Sequence, residues 1–207
     1  MKLILTKGDP KHTTLLDDEG REAYKITTLK KFARPDATTI GRRNAPHPLP
    51  SEAATSTQPQ QEDSEEQDEE FSEIARIYWR RVNPTELIFK GQKIILKEVM
   101  ASIGFLNRDR QFIGPNGVAY IWKIPSRGHL ELYVDDESKT EVAALHGASK
   151  GVRNQKHPAF LEIQPAGLHM VDLIVVTMVY VEYIRVSRER ANRYDPTAHA
   201  MYKWLMS

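Results

Sequence analysis

One apolar segment near the C-terminus, Met170 to Ile184, limits this chain to few folds. The stretch from Leu173 to Val181 carries no charge and is bounded by Asp172 and Glu182. The segment is apolar on nearly all helical faces and continues into a polar, charged stretch that keeps helical character. In that stretch Arg185 and Glu189 lie one turn apart and can pair.

Three structures compete for this segment. A transmembrane helix needs about 20 apolar residues, which is more than the uninterrupted run provides. A buried strand suits its Val and Ile content but not the charged continuation. A helix buried on all sides fits best, since fifteen residues of helix span roughly 22 Å and strands of about six residues span roughly 20 Å. We therefore predict a helix that fills a barrel of short strands.

The rest of the chain is rich in short alternating segments separated by turn residues, a pattern typical of a sandwich or barrel. Asp17 to Gly20 and Gly114 to Gly117 are the clearest turns. We predict about twelve strands: 2–6, 12–16, 22–28, 38–42, 71–81, 86–89, 92–96, 111–113, 118–124, 130–134, 140–145 and 159–163. The predicted fold class is mainly β (α+β), an antiparallel barrel of about twelve strands around one central hydrophobic C-terminal helix.

One segment does not fit this pattern. Residues 44–70 are rich in proline and small polar residues, and Gln61 to Glu70 holds seven acids and no base. Such a composition cannot offset the entropy of ordering, so we predict a disordered insertion in a single domain of residues 1–193, followed by a tail at 194–207. Since the whole chain carries a net charge of +1, the remainder without those acids carries +8, which favours acidic partners such as phosphates or anionic lipid.

Three parts of the sequence carry a family resemblance: the C-terminal stretch from Phe160 to Arg193, the opening KLILTKGDPKHTTLLDDEGREAYKITT, and GPNGVAYIWKI in the middle. Together they resemble an uncharacterised domain family of unknown function that is found widely in basidiomycete fungi. By architecture that family is similar to tubby-like proteins, which include tubby C-terminal domains, phospholipid scramblases and LURP-one-related plant proteins. The resemblance implies a twelve-stranded barrel around a hydrophobic C-terminal helix, whereas fold analogy alone transfers no function.

Basic residues form the candidate site for an anionic ligand or lipid. One group flanks the first half of the chain and the insertion, and the other alternates along one predicted strand; the members are Lys30, Lys31, Arg34, Arg42, Arg43, Arg76, Arg80 and Arg81. A solvated strand face is the common alternative role of such residues. In the helix, Asp172 and Glu182 each require a partner if the barrel encloses them, because an unpaired buried charge is very costly. They lie either near the barrel mouths, within reach of arginine or water, or in a lined internal ligand site.

No pattern in the sequence points to catalysis. The chain has no cysteine, and its seven histidines lack metal-ligand spacing. No nucleophile elbow, phosphate loop or dinucleotide fingerprint is present. We expect no enzyme activity, no cofactor, no metal, no nucleic-acid partner and no transmembrane span. The short apolar start does not match a secretion signal, which favours an intracellular, cytoplasmic protein that can associate peripherally with a membrane.

Two functional hypotheses follow. The first is a non-enzymatic tubby-like binding module that engages anionic phospholipid or phosphoinositide at a membrane surface. The second is a protein-interaction scaffold that recruits a partner through the acidic insertion or through the apolar and aromatic tail MYKWLMS. That tail either docks on apolar surface of the domain or anchors it to a membrane or partner.

Overall fold

The computed structural model describes residues 1–31, 34–44, 70–80, 84–125, 129–149 and 157–194. Arg34 and a few other residues are described for their backbone only. Most of the predicted disordered insertion, the predicted tail from residue 195 onward, and Arg81 lie outside the described residues. Those predictions stay predictions.

The described chain is mainly β, as predicted. Its strands are β1 (Lys2–Leu5), β2 (Thr13–Leu16), β3 (Glu22–Lys31), β4 (Arg34–Arg43), β5 (Phe71–Tyr78), β6 (Glu86–Phe89), β7 (Gln92–Ile95), β8 (Ala101–Ile103), β9 (Asp109–Ile113), β10 (Ala119–Lys123), β11 (Leu130–Val134), β12 (Glu141–His146) and β13 (Phe160–Ile163). The α-helices are α1 (Leu96–Val99) and α2 (Val171–Tyr194), with 3₁₀ segments at Phe105–Asn107 and Pro165–Met170.

The strands form one antiparallel sheet in the order β7-β6-β5-β4-β3-β2-β1-β13-β12-β11-β10-β9-β8. Every pair of neighbours is consecutive in the chain except β1 and β13, which the register Leu3 with Leu161 joins. The sheet is therefore an up-and-down meander whose first and last segments pair with each other.

The predicted closure of the barrel and the count of about twelve strands are corrected here. The described part of the chain has thirteen strands, and the sheet is open between β7 and β8. These two edge strands are consecutive in sequence, but α1 lies between them. Leu96 and Met100 of this junction are buried, and the Met100 amide donates to the Leu96 carbonyl at 2.8 Å. A helical turn satisfies its own backbone, so it interrupts the ladder that a closed barrel requires.

The core lies between the sheet and α2. Ile174, Val175, Val176, Met178 and Val179 of the helix are each at most 1% exposed. Strand residues facing inward, such as Leu3 and Leu132, pack in the same hydrophobic cluster. The predicted buried helix is thus present, but it extends to Tyr194, ten residues beyond the predicted apolar segment.

The helical stretch Pro165–Ala191 is long and apolar enough to cross a bilayer, with a mean hydropathy of 1.5 over its most apolar window. The core helix of a folded domain passes the same test, and 61% of that window is buried inside the protein. The apolar residues of α2 already contact the sheet, which favours a role in the core.

Gly167 allows the chain to enter α2 from β13. A Cβ at this position would lie 2.9 Å from the Val142 backbone oxygen and 2.9 Å from the Ile174 side chain. The 3₁₀ segment can therefore approach β12 closely only with glycine here.

Candidate functional site

The helix α2 separates two groups of charged residues at opposite ends of the fold. Tyr24, near the start of β3, contacts Asp172 in the first turn of α2. Lys31 ends β3 seven residues later, roughly 23 Å away along the strand. The two ends of the β3–β4 ladder therefore lie beside different ends of the helix.

At the end beside the C-terminal half of α2 the fold has a pocket of about 260 Å³. We call it the Lys11 pocket. Residues of β4, of α2 and of two loops line it, including Lys11, Pro35, Trp79, Arg80, Tyr183 and Arg190.

An aromatic pair forms one wall of the Lys11 pocket. The rings of Trp79 and Tyr183 have centroids 4.0 Å apart, and the Trp79 indole N–H donates to the Thr38 hydroxyl at 2.7 Å. Trp79 directly follows β5, where Ala75 and Ile77 also face the core, as their alternation predicted. The wall is thus apolar on its face, and the hydrogen bond to Thr38 orients the Trp79 ring.

Three cations surround this wall. The Lys11 side chain is only 9% exposed, and its Nζ lies 3.8 Å from the exposed Asp9 carboxylate and 5.6 Å from the Tyr183 ring centroid. Arg80 has a similarly distant partner in Glu86, at 3.9 Å. Within the described residues Arg190 forms no ion pair. Since the charge of a largely buried ammonium requires a counter-charge, these three weakly paired cations are suited to bind an anion.

The β3–β4 hairpin extends the basic character of the pocket. Lys30 pairs in register with Pro35, which lines the pocket, and Lys31 ends the strand. Both lysines are exposed, and Leu29 beside them is 63% exposed. We call Lys11, Lys30, Lys31, Arg80 and Arg190 together the basic end.

The structure divides the sequence candidates among three places. Lys30, Lys31 and Arg80 belong to the basic end. Arg42 and Arg43 lie at the opposite end of β4, where Arg43 pairs with Glu70. Arg76 lies between, on the outer face of β5, and pairs with Glu73. Nothing is described of the Arg34 side chain or of Arg81.

The two acids of the helix have partners in the structure. Asp172 accepts hydrogen bonds from the Tyr24 hydroxyl at 2.8 Å and from Arg42 at 3.2 Å, and Lys90 Nζ lies 3.3 Å away. Arg185 donates two hydrogen bonds to the Glu182 carboxylate, at 2.6 and 2.7 Å. Because α2 runs on to Tyr194, Glu182 lies at the middle of the helix and not at its end.

Tyr24, whose hydroxyl donates to Asp172, makes the stability of the fold depend on pH in the alkaline range. Burial, and then the hydrogen bond to Asp172, raise the pKa of Tyr24. The folded protein therefore keeps this proton above the ordinary tyrosine pKa of about 10, where the unfolded chain loses it, so stability is present below about pH 10 and falls above it by up to about 1.4 kcal/mol per pH unit.

The expected result is a shallower alkaline loss of stability in Tyr24→Phe than in the unaltered protein, measured by urea unfolding between about pH 9 and 11. Near neutral pH the variant loses about 1 kcal/mol with the hydrogen bond. Parallel alkaline curves for the two proteins would contradict the assignment.

Sequence reasoning missed Lys11, Trp79, Tyr183 and Arg190 as members of a common site. Tyr183 and Arg190 are seven residues apart, two helical turns, so their shared face could have been found. Lys11 is a single lysine before a strand, and no local pattern marks it.

The family model of a family of unknown function, DUF6593, matches residues 8–187 of the chain. No curated protein matches, and no solved structure matches. The family match confirms the predicted membership of a family of unknown function.

Proposed function

Because the chain belongs to this family of unknown function, which assigns it no activity, we propose from the geometry that it is a non-enzymatic module that binds anionic phospholipid at a membrane surface. The observation that carries the proposal is the Lys11 ammonium, largely buried beside Arg80 and Arg190 with only a distant acid partner. The basic end is the binding surface.

The chemistry of the Lys11 pocket suits a phosphorylated headgroup. Lysine and arginine are the usual protein ligands of phosphate, as a point charge and as a planar fork respectively. The Trp79 and Tyr183 rings offer an amphipathic wall of the kind that is enriched at membrane interfaces. Several cations around one pocket favour a headgroup with more than one phosphate, such as a phosphoinositide.

The hairpin supports a membrane surface over a free phosphate as the principal ligand. Leu29 is exposed directly beside Lys30 and Lys31. An apolar side chain that two lysines follow can enter the headgroup region while the lysines contact anionic lipids, and each such lysine contributes about 1 kcal/mol near a charged membrane. We place the domain at the cytoplasmic leaflet, which carries these lipids.

A tubby-like relationship is part of the same proposal. The antiparallel meander packed on one C-terminal hydrophobic helix supports it, and the open junction at α1 counts against it. A fungal origin rests on the sequence resemblance alone.

The test is co-sedimentation with vesicles of phosphatidylcholine alone and of phosphatidylcholine with phosphatidylserine or phosphoinositide. We expect binding to the anionic vesicles only, weakening as salt screens the charges. In the double variant Lys30→Glu, Lys31→Glu the loss is about 30-fold or more, since at least about 2 kcal/mol disappears.

The matched control is the double variant Arg42→Glu, Arg43→Glu, which reverses the same number of charges at the opposite end. It is expected to retain most of the binding, with circular dichroism showing that it is folded, because Arg42→Glu also removes a partner of Asp172. Equal losses in the two double variants, or no salt-sensitive sedimentation of the unaltered protein, would overturn the proposal.

The protein-interaction scaffold stays a prediction. It depends on the acidic insertion and on the tail, which lie almost entirely outside the described residues. Deleting residues 45–69 leaves vesicle binding unchanged if the basic end is the ligand site.

A further inference from the structure

A separate pair of arginines lies where α2 meets the start of β9. Arg110 is 7% exposed. Its NH1 donates to the backbone carbonyls of Asn107 and Asp109, both at 2.8 Å. Arg188 of α2 donates to the same region, to the Asn107 carbonyl at 3.0 Å and the Arg108 carbonyl at 3.3 Å. Two guanidinium groups thus converge on one turn.

The acceptors of this arginine pair are neutral. In the part of the chain that the structure describes, no carboxylate lies within ion-pair distance of Arg110 or Arg188. The nearest candidate in sequence, Asp109, accepts from Lys123 Nζ at 2.8 Å and from the Ile124 amide at 3.1 Å. Two adjacent cations without a counter-ion are unfavourable in a partly buried place.

The pKa of Arg188 reflects this unfavourable arrangement of charges. Burial, and then repulsion by Arg110 and Arg108, lower the pKa of Arg188. The turn that supplies the carbonyls has Leu106 and Asn107 at φ 57° and 52°, a left-handed conformation that side chains rarely adopt. The repulsion between the arginines and the left-handed backbone are both unfavourable in the free protein. A bound anion would offset the repulsion.

The pair remains open to a ligand. Arg110 also forms a hydrogen bond with the Tyr180 hydroxyl. Arg188 is only half-buried, so a ligand approaches the pair from the side of Arg188. A guanidinium has five N–H donors in a planar fork, which matches the oxygens of a phosphate.

We propose that Arg110 and Arg188 form a binding site for a small phosphate-bearing anion, inorganic phosphate or a phosphate monoester, distinct from the Lys11 pocket. The two sites lie on opposite faces of α2, because Arg188 and Arg190 are about 200° apart around the helix. The phosphate completes the charge balance that the described acids leave open, and it bridges β9 to α2.

The test is an NMR titration of the full chain with inorganic phosphate, with sodium chloride adjusted to hold the ionic strength constant. We expect saturable shifts of the backbone amides from Asn107 to Arg110. Arg188→Gln weakens binding about tenfold or more, as expected for a lost hydrogen bond to a charged group. Arg188→Lys, which keeps the charge and loses the fork, gives an intermediate loss.

Arg190→Gln is the matched control, the same substitution two residues away on the other face. It leaves the phosphate shifts unchanged and weakens vesicle binding, whereas Arg188→Gln leaves vesicle binding unchanged. Shifts that do not saturate, or that are equally tight in Arg188→Gln, would overturn the site and leave the arginines as a structural latch for the turn. Neither result bears on the lipid proposal.

Discussion

Replacing Trp122 with alanine is expected to lower the free energy of unfolding by about 3–5 kcal/mol, the usual cost of removing a fully buried tryptophan. Trp122 in β10 is 0% exposed and is among the largest fully buried side chains. Its indole N–H donates to the Thr177 hydroxyl of α2 at 3.0 Å, and that hydroxyl donates in turn to the Leu173 carbonyl at 2.7 Å. The side chain therefore links the sheet to the helix by both packing and hydrogen bonding.

The controls separate these contributions. Thr177→Val keeps the shape and leaves the indole N–H buried without an acceptor, at a cost of about 1–3 kcal/mol. Ile113→Ala, at a 63% exposed position on the neighbouring β9, changes stability by about 0.5 kcal/mol or less. Urea unfolding followed by circular dichroism gives all three values. A Trp122→Ala loss as small as that of Ile113→Ala would contradict the packing of α2 against the sheet.

Replacing Lys11 with methionine is expected to change stability and binding in opposite directions. Methionine is similar in length and apolar, so it fills the same buried space beside the Lys11 pocket. Exchange of buried, poorly compensated charge for an apolar side chain is often neutral or stabilising. The free energy of unfolding should therefore stay the same or rise.

Binding to anionic vesicles should nevertheless fall about tenfold or more in Lys11→Met, because a charge-assisted contact to phosphate is lost. Lys123→Met removes a lysine that pairs with Asp109 at 2.8 Å, away from the basic end, and serves as the matched control with binding unchanged. Thermal unfolding and vesicle sedimentation of the same preparations provide both readouts. Unchanged binding in Lys11→Met would remove the pocket from the ligand site.

The sequence was most informative where the pattern of apolar residues decided the structure. The segment from Leu173 to Val181 is apolar on nearly all helical faces, which predicted a buried helix, and most of its residues are buried. Alternation at Ala75, Ile77 and Trp79 identified the inward face of β5 correctly. In both cases the residues themselves carry the periodicity of the element.

The opening of the sheet could not be predicted in the same way. Helix α1 has four residues and β8 has three, and segments of that length show no periodicity. Matching the lengths of helix and strands suggested a filled barrel, but it could not reveal whether β7 and β8 pair. Closure depends on long-range pairing, which local patterns do not encode.

Most of the candidate site could not be predicted either, because its residues are distant in the sequence. Lys30 and Lys31 were found from their charge, whereas Lys11, Trp79 and Arg190 come together only because β5, α2 and the loop before β2 meet at one end of the fold. Arg42 lies nearer than Arg80 to Lys30 in the sequence, but it belongs to the opposite end, where it contacts Asp172. Antiparallel pairing of β3 with β4 causes this separation.

Hydrogen–deuterium exchange of the protein with and without anionic vesicles tests most directly whether the basic end faces the membrane. The predicted result is slower exchange in the β3–β4 hairpin around Lys30 and Lys31 and around Trp79 and Arg80, with no change around Arg42 and Arg43. Protection confined to the Arg42 end, or no protection of the hairpin under conditions where the protein sediments with the vesicles, would contradict the proposed binding surface.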